Sequence, residues 1–225
     1  MHALVTGGCK GLGKSFTLEL VKRGYEVTAL YQTSEEEARD LSKNEQINCV
    51  KCDVANEEEV KRLCASLKDV DLLINNASLA KDGDYKEKSL EEFMSVMRVN
   101  VGGVFTVMKH VIPKMKVGVI LNISSNNTLG YHQPLSMDYD ASKAGVNILT
   151  KDFAEVLKET KIKVFAIAPG WIATESVMEA NPKYIEEEVK RANQKKLLEP
   201  DILVRFILDH LGSIQNGEIR EIKEI

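Results

Sequence analysis

Residues 3–13, ALVTGGCKGLG, hold the pattern that decides the fold. Residues 3–7 predict a short apolar strand, and the helical spacing of Leu12, Phe16 and Leu20 predicts a helix directly after the glycines. Glycine lets the backbone turn tightly and lets another group approach it closely. A strand, a glycine-rich turn and a helix in this order aim backbone N–H groups and the positive helix end at one point, which suits a phosphate.

The same alternation of strand and helix patterns continues along the chain. Further strand patterns cover residues 26–30, 47–52, 71–74, 119–123, 163–168 and 218–222, with helical patterns between them, among them residues 176–196. Strands that alternate with helices at this spacing predict a parallel sheet with helices on both faces. Because ligands bind beyond the carboxyl ends of such strands, Asp53, Asn75 and Ser125 are expected along one functional edge.

Local signals mark two helix starts and one interruption. Asn56 is a predicted N-cap, and Ser89 with Glu92 forms a capping box that opens a helical region reaching about residue 115. Asn100 and the glycines at 102–103 interrupt that region, which predicts a kink or a site that uses the backbone.

The composition limits the classes of function. With 225 residues, 44% of them hydrophobic, the chain can bury one core, and no linker divides it. The net charge of −4, with Lys and Arg scattered, gives no basic patch for nucleic acid. No apolar run reaches the roughly 18 residues of a membrane span, and the N-terminus runs straight into a strand. We therefore expect a cytoplasmic protein without a membrane partner.

The four cysteines are Cys9, Cys49, Cys52 and Cys64. Cys49 and Cys52 have the spacing of a redox pair or of half a zinc site. No second pair with that spacing follows, and the four histidines are widely separated. We therefore interpret Cys49 and Cys52 as small apolar residues at the end of a strand and expect no metal.

Residues 118–149, GVILNISSNNTLGYHQPLSMDYDASKAGVNIL, carry the clearest catalytic pattern. An apolar strand ends in Ser124 and Ser125, a polar loop follows, and a helix then presents Tyr139 and Lys143 on one face. A nearby ammonium favours the phenolate, so Lys143 would tune Tyr139 into a general acid or base. A hydroxyl from Ser125 would hold the reacting oxygen. In isolation, the same spacing would suit an amphipathic helix with one exposed lysine.

The residues after the second strand bear on the cofactor. An acid at the end of that strand would bind a ribose 2′-OH and favour NAD. The chain has YQTS at 31–34 instead, with no acid before Glu35. Hydroxyls at this point, together with Lys10 in the glycine turn, would suit a 2′-phosphate and favour NADP(H) over NAD(H). The alternative for Lys10 is a solvated loop charge.

In this order, the motifs resemble the short-chain dehydrogenase/reductase family over nearly the whole chain. They are TGGCKGLG at 6–13, DV at 53–54, NNA at 75–77, Asn100, Ser125, Tyr139-x-x-x-Lys143 and PG with the following Thr at 169–174. The resemblance implies a single α/β domain of Rossmann type, a doubly wound parallel β-sheet of about seven strands flanked by helices on both faces. Residues 1–115 would form the cofactor half, and residues 116–225 the catalytic and substrate half.

The resemblance also implies a role for each catalytic residue. Tyr139 would give or take the proton, and Lys143 would hold the nicotinamide ribose and lower the tyrosine pKa. Ser125 would bind the substrate oxygen. Asn100 would hold a water that links Lys143 to solvent.

Cofactor contacts would follow the edge of the sheet, with the pyrophosphate at the glycines, adenine at residues 53–54, ribose at residues 75–77 and the carboxamide at residues 172–174. By resemblance, and from the residues after the second strand, the full set is Thr6, Gly7, Lys10, Gly11, Leu12, Gly13, Tyr31, Thr33, Ser34, Asp53, Val54, Asn75, Asn76, Ala77, Tyr139, Lys143, Pro169, Gly170, Ile172 and Thr174.

Three features depart from the family pattern. Ser78 stands where a glycine usually follows Asn-Asn-Ala, which changes the floor near the nicotinamide. Ser125 lies fourteen residues before Tyr139, one more than usual, so Ser124 or Asn126 could share its role. The C-terminus, NGEIREIKEI, lacks the usual ending that often takes part in tetramer contacts. A homodimer and a homotetramer both stay open.

Within the family, the chain is most similar to the 3-oxoacyl-acyl-carrier-protein reductase branch. This implies an oxidoreductase that reduces a ketone, a 3-oxoacyl thioester first, to a hydroxyl with NADPH, with fatty acid biosynthesis as the candidate pathway. The partner would be a small carbonyl or hydroxyl substrate, with acyl carrier protein as its candidate carrier. The alternatives are an NAD-linked alcohol or sugar-alcohol dehydrogenase and, outside the enzymes, a dinucleotide-sensing module.

The substrate itself is not identified by the sequence. The candidates for the pocket wall are Leu79, Leu129, His132, Trp171 and Met178. For His132, a solvent-exposed loop residue is the better interpretation. For Trp171, a pocket wall and a core residue are equally good.

Overall fold

The apolar segments predicted as strands pair in parallel, and the computed structural model describes all 225 residues. The strands are β1 (His2–Val5), β2 (Glu26–Tyr31), β3 (Ile47–Lys51), β4 (Leu72–Asn75), β5 (Val117–Ile123), β6 (Lys161–Pro169) and β7 (Ile219–Ile222). They form one seven-stranded sheet in the order β3-β2-β1-β4-β5-β6-β7. The structure confirms the predicted doubly wound parallel sheet.

Helices connect the strands and cover both faces of the sheet. They are α1 (Gly11–Lys22), α2 (Glu35–Leu41), α3 (Glu57–Ser66), α4 (Leu90–Met97), α5 (Gly103–Val111), α6 (Met137–Val156), α7 (Glu175–Met178), α8 (Pro182–Arg191) and α9 (Pro200–His210). Every connection between consecutive strands contains at least one helix, because parallel neighbours need a crossover.

Alternate residues of each strand pack on opposite faces of the sheet. Leu4 and Leu73 belong to the apolar cluster under α3, α5 and α6, whereas their neighbours Val5 and Ile74 belong to the cluster under α1 and α9. Because both faces are buried at the centre of the sheet, β1 and β4 are almost continuously apolar, whereas polar residues enter the edge strands β3 and β7.

The strand order reverses at β1 and β4. Val5 of β1 lies opposite Ala29 of β2 on one side and opposite Ile74 of β4 on the other. The connections after β1 and β4 therefore run away from each other, which opens a crevice beyond the carboxyl ends of these two strands.

The helix starts follow the signals in the sequence. The Asn56 side chain accepts from the Glu59 backbone N–H at the start of α3. Ser89 and Glu92 form the predicted capping box at the start of α4, each side chain bonding the backbone N–H of the other. Both caps satisfy N–H groups that lack an intrahelical acceptor.

Two helical regions differ in detail from their patterns. The predicted interruption near Asn100 is a single π turn, Arg98–Gly102, which lies between α4 and α5 without breaking the helix. Residues 176–196, predicted as one helical region, divide into α7 and α8. The division falls at Asn181, whose side chain caps α8, and at Pro182, whose fixed φ suits the first turn.

The glycine turn before α1 depends on one very close approach. Gly7 and Gly11 have φ angles of +60° and +51°, which favour glycine. A Cβ at Gly13 would lie 2.0 Å from the Gly7 carbonyl oxygen and 2.5 Å from Asn76 Nδ2. Gly13 is therefore needed for α1 to begin against the turn.

We predict that Gly13→Ala destabilises the protein by about 3 kcal/mol or more, because backbone atoms rather than a flexible side chain would have to move. In an open helix the same change would be stabilising. Urea unfolding measures the free energy of unfolding. Gly83→Ala is the matched control, because no atom lies within 4 Å of a Cβ there, and we expect it to change stability by less than about 0.5 kcal/mol. Equal free energies of unfolding for the two variants would contradict the close approach of Gly13 to the turn.

Candidate active site

The turns after β1 and β4 are joined by hydrogen bonds. Thr6 Oγ1 accepts from the backbone N–H groups of Asn76 and Ala77, both at 2.9 Å. In return, Asn76 Nδ2 donates to the carbonyl oxygens of Thr6 at 3.0 Å and Gly7 at 3.1 Å. These bonds hold the glycine turn and the first residues after β4 together at the crevice.

The glycine turn fits the pyrophosphate of a dinucleotide. Its positive φ angles and the bare backbone at Gly13 leave no Cβ between a ligand and the start of α1. A Cβ at Gly11 would meet Thr174 Cγ2 at 3.7 Å, so the segment after β6 approaches this turn. Leu12 is buried in the core under α1, which leaves its backbone to face a ligand.

The segment after β6 is fixed from behind by Gln194. Gln194 Oε1 accepts from the Trp171 backbone N–H at 2.8 Å, and Gln194 Nε2 donates to the Trp171 carbonyl oxygen at 2.9 Å. The Ala173 N–H donates to the Leu198 carbonyl oxygen at 2.9 Å. These bonds hold the expected cofactor contacts Pro169, Gly170, Ile172 and Thr174 in one ordered segment.

Tyr139 and Lys143 lie one turn apart near the start of α6, as the sequence predicts. Lys143 Nζ lies 5.3 Å from the centre of the Tyr139 ring. It also donates to the carbonyl oxygen of Ile123, the last residue of β5, at 2.7 Å, and Lys143 is 3% exposed. The end of β5 therefore fixes the ammonium beside the phenol.

The pKa of Tyr139 is raised in the structure, whereas the resemblance implies that Lys143 lowers it. Burial raises the pKa of Tyr139 to about 12, although hydrogen bonds with Ser78 and Ser125 act to lower it. Burial also lowers the pKa of Lys143 to about 8. Burial is the largest cause of both shifts, because loss of hydration disfavours the charged form of each group. In this structure Tyr139 is a neutral phenol at neutral pH, which makes it a proton donor.

Ser78 belongs to the site, whereas the sequence predicts only that it changes the pocket floor near the nicotinamide. Its side chain acts to lower the pKa of the Tyr139 phenol, as does that of Ser125, which follows β5. The signal in the sequence was the serine at the family's usual glycine. Ser124 and Asn126 are buried away from the phenol, and Ser124 Oγ donates to the Lys143 carbonyl oxygen at 3.4 Å. Of the three candidates near 125, Ser125 is the one that reaches Tyr139.

Asn100 anchors the loop that follows Ser78. Its Oδ1 accepts from the Leu79 backbone N–H at 2.7 Å, and its Nδ2 donates to the Leu79 carbonyl oxygen and to Ser142 Oγ, both at 2.9 Å. The π turn thus directs the amide at a loop and at α6 together. These bonds occupy the side chain, and the expected water-holding role stays a prediction.

The residues expected near the adenosine ribose lie in the glycine turn, at Lys10, and at the end of β2, at Tyr31, Thr33 and Ser34. Lys10 and Thr33 are exposed, and Ser34 is buried. Glu35, the first acid after β2, forms an ion pair with Lys51 at 2.5 Å, and this contact lowers the pKa of its carboxyl group. The first acid after β2 is thus paired with a lysine.

Asp53, Val54 and Asn75 differ in how they face the crevice. Asp53 is half-buried at the end of β3, with its carboxylate on the backbone two residues on. Val54 is buried in the core, and a Cβ at Gly103 would lie 2.7 Å from its Cγ2. Asn75 Nδ2 donates to Asn122 Oδ1 at 2.8 Å, and Asn75 Oδ1 has no partner. Val54 and Asn75 thus support the sheet edge from within.

A buried polar cluster joins α8 to the loop before α6. Glu188 is 5% exposed, and its carboxylate accepts from the Tyr131 hydroxyl and from Gln133 Nε2, the latter at 2.6 Å. Arg191 pairs with the same carboxylate at 2.5 Å. Gln133 Nε2 also donates to the Tyr184 hydroxyl at 2.9 Å. The cluster fixes α8 against the loop that follows Ser125.

The candidates for the pocket wall are not equivalent. Trp171 is half-buried, with its ring edge-on to Tyr184 at 6.5 Å between centres. Leu79 is half-buried, whereas the exposed candidates are Leu129, His132 and Met178. Trp171 is therefore the candidate with the most fixed position.

No group of three or more His, Cys, Asp and Glu side chains could hold a metal ion. All four cysteines are free, and Cys9 Sγ lies 3.6 Å from Cys49 Sγ. None of the helices is both long enough and apolar enough to cross a membrane.

Comparisons with known proteins identify the family to which the chain belongs. The family model for short chain dehydrogenase matches residues 1–185. An acetoacetyl-CoA reductase of Shinella zoogloeoides is 32% identical over 96% of this chain and 95% of its own length. A 3-oxoacyl-acyl-carrier-protein reductase of Staphylococcus epidermidis is 34% identical over 77% of this chain and 75% of its own.

Among solved structures, a dehydrogenase/reductase from Sinorhizobium meliloti 1021 has a TM-score of 0.90 and 26% identity, over 98% of this chain and 92% of that chain. The region matched by the family model contains the glycine turn and Ser125, Tyr139 and Lys143. The chain therefore belongs to the short-chain dehydrogenase/reductase family of NAD(P)-dependent oxidoreductases, which act on C=O and CH–OH groups.

Proposed function

We propose that this protein is an NADPH-dependent ketone reductase whose substrate class is 3-oxoacyl thioesters. The observation that carries the proposal is the neutral phenol of Tyr139, whose pKa two serine side chains act to lower and whose ring centre lies 5.3 Å from the Lys143 ammonium. A ketone that accepts a hydride becomes an alkoxide and needs a proton at once. A neutral phenol held at that oxygen supplies it.

Each residue of the site has a separate task in this reaction. Ser125 donates a hydrogen bond to the carbonyl oxygen and orients the ketone. Tyr139 transfers its hydroxyl proton to the same oxygen as negative charge develops there. Lys143, fixed by the Ile123 carbonyl, stabilises the negative charge that the phenol then takes on.

The bound nicotinamide would supply the hydride, and the chain would supply the orientation. Gly7, Gly11 and Gly13 would hold the pyrophosphate at the start of α1. Thr174 and Ile172 would approach the carboxamide from the segment fixed by residue 194. Lys143 would also bind the nicotinamide ribose.

The charges around the adenosine end support NADPH over NADH. No acid stands at the end of β2 to bind a ribose 2′-OH, and the first acid after it, Glu35, is paired with Lys51. Lys10 in the glycine turn and Thr33 after β2 are exposed and would bind a 2′-phosphate. Tighter binding of NADH than of NADPH would instead favour an NAD-linked alcohol or sugar-alcohol dehydrogenase.

The names of the relatives support thioester substrates. Two similar proteins are an acetoacetyl-CoA reductase and a 3-oxoacyl-acyl-carrier-protein reductase. These share the 3-oxoacyl group and differ in the carrier of the thioester. We therefore expect turnover with the 3-oxoacyl group on coenzyme A or on acyl carrier protein. An assay with both substrates determines which carrier supports the faster turnover.

We predict that Tyr139→Phe lowers NADPH-dependent reduction by about a hundredfold or more, because the proton donor is lost. Loss of nicotinamide absorbance with a panel of 3-oxoacyl thioesters, ketones and sugars measures turnover with each reduced cofactor. Cofactor binding, followed by fluorescence, should survive the substitution.

Tyr85→Phe is the matched control for this substitution, since Tyr85 is 62% exposed in the loop before α4. Its turnover should equal that of the unmodified protein. Full activity of Tyr139→Phe, or no NADPH consumption with any carbonyl compound, would contradict the proposed reaction. The second result would favour a dinucleotide-sensing module.

We predict that Ser78→Ala raises the pKa of Tyr139, because the Ser78 hydrogen bond lowers it. Oxidation of the alcohol needs the phenolate as base, so its acidic limb should move to higher pH. Below that limb, oxidation should slow about fivefold. The pH dependence of kcat/KM for NADP⁺-linked oxidation measures the shift. Ser78→Thr keeps the hydroxyl and should retain the original profile, so identical profiles for the two variants would refute the role of Ser78.

We further propose that the protein is a homodimer or homotetramer that uses the outer face of α5 and α6. Phe105, Ile148 and Val156 on this face are 46%, 56% and 75% exposed. We predict that Ile148→Glu with Val156→Glu yields monomers in light scattering. Leu18→Glu, at an exposed position on α1, should leave the assembly intact. Monomers of the unmodified chain would contradict the proposal.

Two further expectations stay predictions. They are the division into a cofactor half at residues 1–115 and a catalytic half at residues 116–225, and the cytoplasmic location.

A further inference from the structure

The loop between Ser125 and Tyr139 contains a hydrogen-bonded brace that the proposed reaction does not yet explain. Asn127 lies in the short turn that follows Ser125 and contacts it twice. Ser125 Oγ donates to Asn127 Oδ1 at 2.9 Å and accepts from the Asn127 backbone N–H at 3.3 Å. Asn127 Nδ2 donates to Asp140 Oδ1, beside Tyr139 on α6, at 2.5 Å. The brace therefore joins the two ends of the loop that is one residue longer than the family spacing.

The direction of each hydrogen bond follows from the carboxylate. An ionised carboxylate only accepts, so Asp140 decides which end of the Asn127 amide carries the N–H groups. The amide oxygen then faces Ser125 and accepts its hydroxyl proton. A serine hydroxyl has one proton and two acceptor sites. With one acceptor site on the Asn127 N–H, the remaining site is left for the phenol of Tyr139.

Asp140 is itself held in place. Its second oxygen accepts from the Gln133 backbone N–H at 2.9 Å. The Gln133 side chain donates to buried Glu188 at 2.6 Å, which connects the brace to α8. The orientation of the Asn127 amide is thus supported by the loop and by the covering helix.

We propose that Asn127, oriented by Asp140, is a positioning residue that sets the direction of the Ser125 hydroxyl. The inference rests on the proposed function, in which Ser125 binds the substrate oxygen. Asn127 keeps the hydroxyl proton pointing in one direction until a substrate carbonyl oxygen enters and accepts the hydrogen bond instead. The amide also competes with the phenolate of Tyr139 for the same proton.

Two consequences distinguish this role from simple support of the loop. Without Asn127, the Ser125 hydroxyl rotates freely, and kcat for reduction should fall by about two- to tenfold with little change in KM. The freed hydroxyl can also donate to the phenolate, so Asn127→Ala should lower the pKa of Tyr139 by about half a pH unit to one pH unit. Both effects require the Ser125 hydroxyl.

A double-mutant cycle tests the first consequence. Asn127→Ala should lower kcat in the unmodified protein and have no further effect in Ser125→Ala. Leu135→Ala, at an exposed position of the same loop, should leave kcat unchanged. Additive losses across the cycle would overturn the proposal.

A titration of Tyr139 tests the second consequence without turnover. The charged groups around its phenol are Lys143 and Asp140 on α6 and Asp82 from the loop before α4. None of them changes in Asn127→Ala. In protein labelled with ¹³C-tyrosine, the Tyr139 signal is the one lost in Tyr139→Phe. Its pKa should fall in Asn127→Ala and should not respond to Asn127→Ala in the Ser125→Ala background.

The two measurements separate the possible failures. An unmodified protein that reduces no carbonyl compound would overturn the proposed function, and the titration would still decide the role of Asn127. An active protein in which Asn127→Ala leaves the Tyr139 pKa unchanged, or shifts it equally with and without Ser125, would overturn the positioning role alone. Equal unfolding free energies of the variants show that the loop has not simply lost its fold.

Discussion

The structure depends on the bonds between the ends of β1 and β4. Thr6 and Asn76 exchange hydrogen bonds across these two neighbouring strands, and Asn76 also holds the Gly7 carbonyl. Because the connections after the two strands diverge, the crevice exists only while their ends stay side by side. The position of the glycine turn and the position of the residues after β4, which include Ser78, are therefore set by the same few bonds.

Most of the fold could be predicted from the sequence, because local signals and the global arrangement agree. The glycines at 7, 11 and 13, the capping box at Ser89 and the apolar strands each have a local cause. The boundary between α7 and α8 was not predicted, because it depends on a single residue, Pro182. The π turn at Arg98–Gly102 was visible only as an interruption, since its geometry depends on the contacts of Asn100 with distant residues.

The catalytic pair was predictable from its spacing, but its electrostatics were not. The sequence predicts a phenol whose pKa is lowered by Lys143. In the structure, burial raises the pKa of Tyr139 and lowers the pKa of Lys143, so it favours the neutral form of each group. The Ser78 hydrogen bond and the cluster around Glu188 also depend on tertiary structure. Glu188 and its partner Tyr131 are 57 residues apart in the chain, and no local pattern connects them.

The π turn also restricts how the helix around it can change. It inserts one residue, and one residue rotates a helix by roughly 100°. α5 buries Val104, Val107 and Val111 in the sheet-facing core, while Asn100 faces the loop after β4. Deleting a residue to make the helix regular would keep one of these faces and turn the other into solvent. The extra residue therefore lets the helix direct its valines at the core and Asn100 at the site at the same time.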